Sequence, residues 1–201
     1  LGDLPIPEAL MRSYLRLFLQ DAHDFLYNDD RRRAIAGVLR DRLDTSSGPY
    51  VIVGHSLGSL VALEVLSALP SDHLGVALLV SIGSPLSIRA IRRRMATLMQ
   101  RPPDARIRVP AVVREWRNFY DPRDIVTAGS GFAQHVEQTE TLPPFLEVPV
   151  LNTERDEDAH SATGYLRHPA IRTAVRSRLD VARFQPVADF VIAADVVRDY
   201  E

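Results

Sequence analysis

Two short apolar runs constrain this chain more than any other feature. "YVIVG", Tyr50 to Gly54, and "VALLVSI", Val76 to Ile82, show no alternation of apolar and polar residues. A strand that is apolar on both faces needs cover on both faces, which a parallel sheet between helical layers provides. Each run leads into a segment of helical character, Leu57 to Leu69 and Ser87 to about Gln100. Ala111 to Trp116 reads as a third strand and Phe145 to Leu151 as a fourth, interrupted by Pro149. Pro169 to Leu179 reads as a helix with proline in its first turn. Upstream, residues 7–27 place Leu10, Tyr14, Leu17 and Phe18 on one helical face, with Arg12, Ser13, Arg16 and Gln20 mostly opposite. A core-facing helix fits that pattern better than a membrane-surface one. Asn28-Asp29-Asp30 offers N-cap candidates for a helix through about Leu43, and "DTSSGP" reads as a loop. The final "VADFVIAADVVRDYE" fits either a strand or a helix. The pattern predicts an α/β fold with a mainly parallel sheet flanked by helices. No clear linker divides the chain, so residues 1–201 read as one domain.

Composition narrows the function classes. At 201 residues and 46% apolar content the chain can bury a sizeable core. The net charge of −2 gives no field favouring nucleic acid. Every basic residue is Arg, and the clusters Arg31-Arg32-Arg33 and Arg92-Arg93-Arg94 read as solvated helix surface rather than a phosphate patch. With no Cys, thiolate metal sites, disulfides and Cys nucleophiles are excluded, which fits the cytoplasm. No apolar run reaches the length of a membrane span, and "LGDLPIPEAL" does not resemble a signal peptide. Because the chain opens with Leu, it reads as a processed product or a piece of a longer protein.

Gly54-His55-Ser56-Leu57-Gly58 matches G-x-S-x-G and falls between the first strand and its helix. Glycines two before and two after the serine remove Cβ atoms that would collide in so sharp a turn. The turn lifts Ser56 above the strand end, with a helix N-terminus beneath it. The Leu57 N–H points where an oxyanion would form. Phosphate binding at the same place would call for Gly-Lys-Ser/Thr or three spaced glycines, and neither pattern is present.

A serine nucleophile needs a base and an acid to orient it. Of the six histidines, His23 precedes the sheet, and His73 lies after the helix that follows Ser56. His135 lies between the third and fourth strands, and His168 reads as a helix-entry residue. The His55 ring is expected to point away from the site and to support the turn. His160, in "TERDEDAHSATGY" beyond the fourth strand, leaves the same sheet edge as Ser56 and is the candidate base. "REWRNFYDPRDIV" supplies the acid in the order Ser, Asp, His. Asp124, beside apolar Ile125-Val126, is preferred to Asp121, which before Pro122 suits a turn. Asp156, Glu157 and Asp158 read as solvated loop charges. Residues 127–145 read as part of a substrate wall.

"VIVGHSLGS", "VSIGSPL", "WRNFYDPRDIV" and "DAHSATGYLRHP", in that order, resemble the α/β-hydrolase superfamily, in particular its lipase- and esterase-like members. The resemblance implies a nucleophile at Ser56, an acid at Asp124 and a base at His160. It implies hydrolysis of a small-molecule or lipid acyl substrate through an acyl-enzyme, with no cofactor and no metal. A peptidase or thioesterase on the same triad stays open. Family members also place several strands and a His-Gly loop before the nucleophile strand, the loop giving a second oxyanion donor. The residues before Tyr50 read as helical, so these N-terminal strands are missing from the pattern. Either the chain is the C-terminal part of a longer protein, or another chain supplies strands, or the oxyanion site is built differently. The second case carries an alternative function, a hydrolase-like interaction or regulatory domain.

Overall fold

The computed structural model describes residues 20–43, 48–71, 75–153 and 159–179. Its elements run α1 (residues 20–27), α2 (Asp29–Arg40), β1 (Tyr50–His55), α3 (Leu57–Ala68), β2 (Val76–Ile82), α4 (Arg89–Leu98), β3 (Trp116–Tyr120), β4 (Phe145–Pro149), α5 (Ala162–Arg167) and α6 (Pro169–Arg176). The expectations for residues 7–19, for the start of the "DTSSGP" loop, for His73, for Asp156 to Asp158 and for the C-terminal stretch lie outside the described residues.

Among the described residues four strands form one sheet in the order β1-β2-β3-β4, with every pair parallel. The predicted α/β class therefore holds. All four carboxyl ends lie along one edge, where ligands bind in open parallel sheets. Side-chain alternation divides the sheet between two layers. On one face Leu79 and Trp116 pack with Leu60, Leu63 and Leu66 of α3 and Met95 of α4. On the other, Leu78, Val80 and Ile82 pack with Phe119, Tyr165 of α5, and Ile171 and Ala174 of α6. A chain of polar groups, buried as far as half-buried Glu147, crosses β2, β3 and β4: Trp116 Nε1 donates to Ser81 Oγ at 2.9 Å, Ser81 Oγ to Asn118 Oδ1 at 2.7 Å, and Asn118 Nδ2 to Glu147 Oε1 at 2.9 Å. Glu147 also accepts the N–H groups of Phe132 and Ala133, so none of these polar atoms is left unpaired.

The third strand differs from expectation. It starts at Trp116, where the sequence suggested it would end. Residues 111–115 open with a turn and pair with β2 only through an isolated parallel bridge, Val76–Val113, while Val112 and Val113 fill the core. Position in the sheet, not apolar content, selects the polar-looking "WRNFY". In the arginine clusters Arg31, Arg33 and Arg93 are exposed, as expected of a solvated surface, but Arg32, Arg92 and Arg94 are not. Arg32 reaches Glu64 of α3 at 3.1 Å, Arg94 Nε donates to Leu26 O at 2.8 Å, and Arg92 Nη1 donates to Leu86 O at 2.9 Å. These three arginines tie helices together through buried or half-buried carbonyls and a carboxylate. Residues 127–145 are anchored by Phe132, whose ring packs tilted against Trp116 and Phe145, and by an Ile107–Val136 bridge, so Phe132, Val136 and Phe145 are core.

Candidate active site

Ser56 follows β1 and caps α3 with φ 52° and ψ −122°, a left-handed conformation that costs a residue bearing a Cβ on the order of 1–3 kcal/mol. The turn closes tightly. A Cβ on Gly54 would stand 2.9 Å from Gly58 O and from the Cα and N of Ser59. Ser59 N and Oγ both donate to Ser56 O, at 3.0 and 2.6 Å, which locks the turn onto the helix. Leu57 occupies the first helical position, where N–H groups have no intrahelical acceptor.

Asp124 follows β3. Its Oδ1 accepts the Val126 N–H at 2.9 Å, and its Oδ2 accepts His160 Nδ1–H at 2.8 Å and the Tyr165 hydroxyl at 2.9 Å. A carboxylate only accepts, so the proton sits on Nδ1 and leaves Nε2 of His160 as an acceptor. Asp121 makes different bonds. It accepts from the Arg123 side chain and N–H and, at 2.6 Å, from the Asn152 N–H. Burial alone would push the Asp121 carboxyl up, but these hydrogen bonds and the Arg123 charge hold it below its usual range. The Tyr165 hydroxyl accepts the Asp121 N–H at 2.8 Å and is therefore shared between both aspartates. Burial, then the neighbouring Asp124 charge, push its pKa up and keep it neutral.

Ser56 joins this pair through its neighbours. Its N–H donates to Ile82 O at 3.0 Å, and the residue just after β2, Gly83, lies against the His160–Asp124 bond. Gly83 has φ +57°, and a Cβ there would stand 3.0 Å from His160 Cε1 and Nδ1 and 3.1 Å from Asp124 Oδ2. Only glycine satisfies both the backbone and the space. His55, expected to point away, lies against the pair instead. Its ring centroid is 4.5 Å from that of His160, and its Nε2 donates to His160 O at 2.7 Å. Strand alternation is the cause: Val51, Val53 and His55 share one face, the face packed against Tyr165. Of the other histidines, His23 is exposed on α1, His135 ends a 3-10 turn with its pKa lowered by burial and by Arg92 and Arg106, and His168 caps α6 by accepting from Ala170 N.

Sequence reasoning missed Tyr165, Asn152, the role of Gly83 and the helix α5 that carries Tyr165. Gly83 was visible as a glycine directly after a strand end, within the quoted "VSIGSPL". Tyr165 and Asn152 had no local signal, because both act through residues more than twenty positions away or across a loop.

The chain matches the model of the alpha/beta hydrolase family over residues 12–197, and it belongs to that family. No curated protein and no solved structure matches it. Membership supports a hydrolase. Among the described residues, no helix is long and apolar enough to cross a membrane.

Proposed function

We propose that the chain is a serine hydrolase that cleaves a carboxylic ester or related acyl bond, with a lipid ester among the candidates. The observation that carries this reading is the 2.8 Å bond from His160 to Asp124, on the same sheet edge as a serine held at φ 52° on a strand-to-helix turn. In this mechanism His160 Nε2 takes the proton from Ser56 Oγ as the oxygen attacks the acyl carbon. Asp124 stabilises the imidazolium and keeps the ring oriented. The Leu57 N–H and a second donor hold the oxyanion. The tetrahedral species expels the alcohol, which leaves with the His160 proton. Water then attacks the acyl-enzyme, giving its proton to His160, and the acid is released with Ser56 restored.

A fluorophosphonate probe tests the reading directly. Ser56 is labelled in the wild type, and Ser56→Ala loses both labelling and turnover of p-nitrophenyl acetate. Wild-type turnover in Ser56→Ala would end this reading. Comparing oxygen ester, thioester and amide probes separates an esterase from a thioesterase or peptidase.

One observation favours the alternative of a domain completed by another chain: β1, which leads to Ser56, closes one edge of the described sheet. An unpaired apolar edge strand is a template for further pairing. Under that reading the 201-residue chain gives a heteromeric mass on light scattering and no Ser56-dependent turnover. A monomer with such turnover removes it.

A further inference from the structure

The three residues around His160 are held by their carbonyls, one after another. Asn152 Nδ2 donates to Ala159 O at 3.1 Å and to Ser161 O at 2.8 Å. Between them, His55 Nε2 donates to His160 O at 2.7 Å. The two donors come from opposite edges of the sheet, His55 from the end of β1 and Asn152 from just beyond β4. The His160 segment thus reaches across the strand ends, over Gly83 after β2 and Asp124 after β3. Asn152 is itself fixed, because its N–H is bound by buried Asp121.

His55 is an expensive way to fill this space. Its Nδ1 is buried without a hydrogen-bond partner among the described residues. A buried acceptor left unpaired destabilises, and a phenyl ring would pack without that cost. What the imidazole offers in return is the single N–H aimed at His160 O.

The geometry points to His55 as a positioning residue of the hydrolytic site, a neutral N–H donor that works with Asn152 to clamp the carbonyls around His160; the assignment rests on the hydrolase reading above. Burial, with the nearby His160 ring, pushes the His55 pKa down to about 3. It therefore stays uncharged while His160 gains and loses protons, and it does not compete as a base. With the backbone held on one side and Asp124 holding Nδ1 on the other, the remaining freedom of the His160 ring is small. Misplacing a catalytic group by about 1 Å can lower the rate about a hundredfold.

The test uses the full 201-residue chain, wild type, His55→Phe, His55→Gln and Asn152→Ala. Phenylalanine keeps a ring and removes the donor, whereas glutamine keeps a donor. The low-field proton NMR resonance of His160 Nδ1–H reports the Asp124 bond independently of turnover, and p-nitrophenyl acetate reports kcat and KM separately. In folded His55→Phe the resonance broadens or vanishes, and kcat falls about tenfold to a hundredfold with KM unchanged. His55→Gln recovers the resonance and most of kcat. A resonance and kcat in folded His55→Phe matching the wild type would overturn the assignment, as would a failure of His55→Gln to recover them. Should His55→Phe not fold, Asn152→Ala decides, since an unchanged resonance there also overturns the clamp. If the wild type shows no Ser56-dependent turnover, the hydrolase reading falls, while the resonance in the variants still decides whether His55 positions His160.

Discussion

Between Gly54 and Gly58 the site is made by backbone, and around His160 it is made by side chains. The turn at Ser56 depends on five consecutive residues, a missing Cβ and one left-handed φ. The opposite corner draws on every strand end: His55 from β1, Gly83 from β2, Asp121 and Asp124 from β3, and Asn152 from beyond β4. Steric fit admits few substitutes and fails abruptly. A hydrogen-bonded network shares its load, so single losses there are graded. The difference separates what a mutation does to the fold from what it does to the chemistry.

The largest effect belongs to Asp124. Asp124→Asn keeps the shape of the side chain but removes the charge that fixes the His160 tautomer, and kcat for an ester falls about ten-thousandfold under the triad mechanism. Asp121→Asn keeps Asp124 as the acceptor of His160 Nδ1–H and acts on stability through Arg123 and Asn152, with a much smaller loss of kcat. Equal losses of kcat in the two variants would erase the distinction between the aspartates.

Next in size is an acid-dependent loss of stability at the network corner. In the unfolded chain His55 takes up a proton near its ordinary 6.5, while in the native protein burial and His160 delay this to about 3. Between those values the unfolded state binds more protons, so stability falls as pH is lowered through the window. Urea unfolding from pH 6.5 to 4.5 shows a steeper decline in the wild type than in His55→Gln. Parallel slopes would mean that His55 is not held neutral.

At the elbow the expected cost is steric. Gly54→Ala forces a Cβ to 2.9 Å from backbone atoms of Gly58 and Ser59, none of which is the end of a flexible side chain. Overpacking of this kind costs about 1–3 kcal/mol or more, read as a lower urea midpoint, and it removes Ser56 labelling as well. Wild-type stability in Gly54→Ala would show that the turn is looser than its geometry. At the network corner Tyr165→Phe leaves the buried Asp121 N–H without its acceptor and removes one of the donors to Asp124. That change costs about 1–2 kcal/mol and leaves Ser56 labelling in place. The contrast between the two variants is the sharpest measure of backbone against network.

The same contrast explains what could be read from the sequence. The parallel sheet was legible because strands covered on both faces must be apolar throughout, as "VALLVSI" is. The elbow was legible because its causes are local. The third strand was not, since Trp116–Tyr120 earns its place by pairing with β2 and β4, and Arg117 and Asn118 disguise it. Nor was the His55 contact, although the alternation Val51, Val53, His55 encoded its direction. Without knowing which helix covers that face, the residue it meets cannot be named. Tyr165 and Asn152 are the extreme case, since their partners come from other strand ends and only the assembled sheet edge brings them together.

The smallest prediction uses glycine as its own control. Gly37 lies inside α2, and a Cβ there would meet nothing within 4 Å. Its φ is not in the left-handed region, so alanine adopts the same backbone without strain. Glycine in a helix interior is less stable than alanine by about 0.5–1 kcal/mol, because it loses more backbone freedom on folding. Gly37→Ala should therefore raise the urea midpoint slightly and leave turnover unchanged. The identical chemical change at Gly54 lowers it, so the two signs isolate space at the elbow as the cause. If both substitutions shift stability in one direction, the cost at Gly54 does not come from the closed turn, and the steric account of the Ser56 end fails.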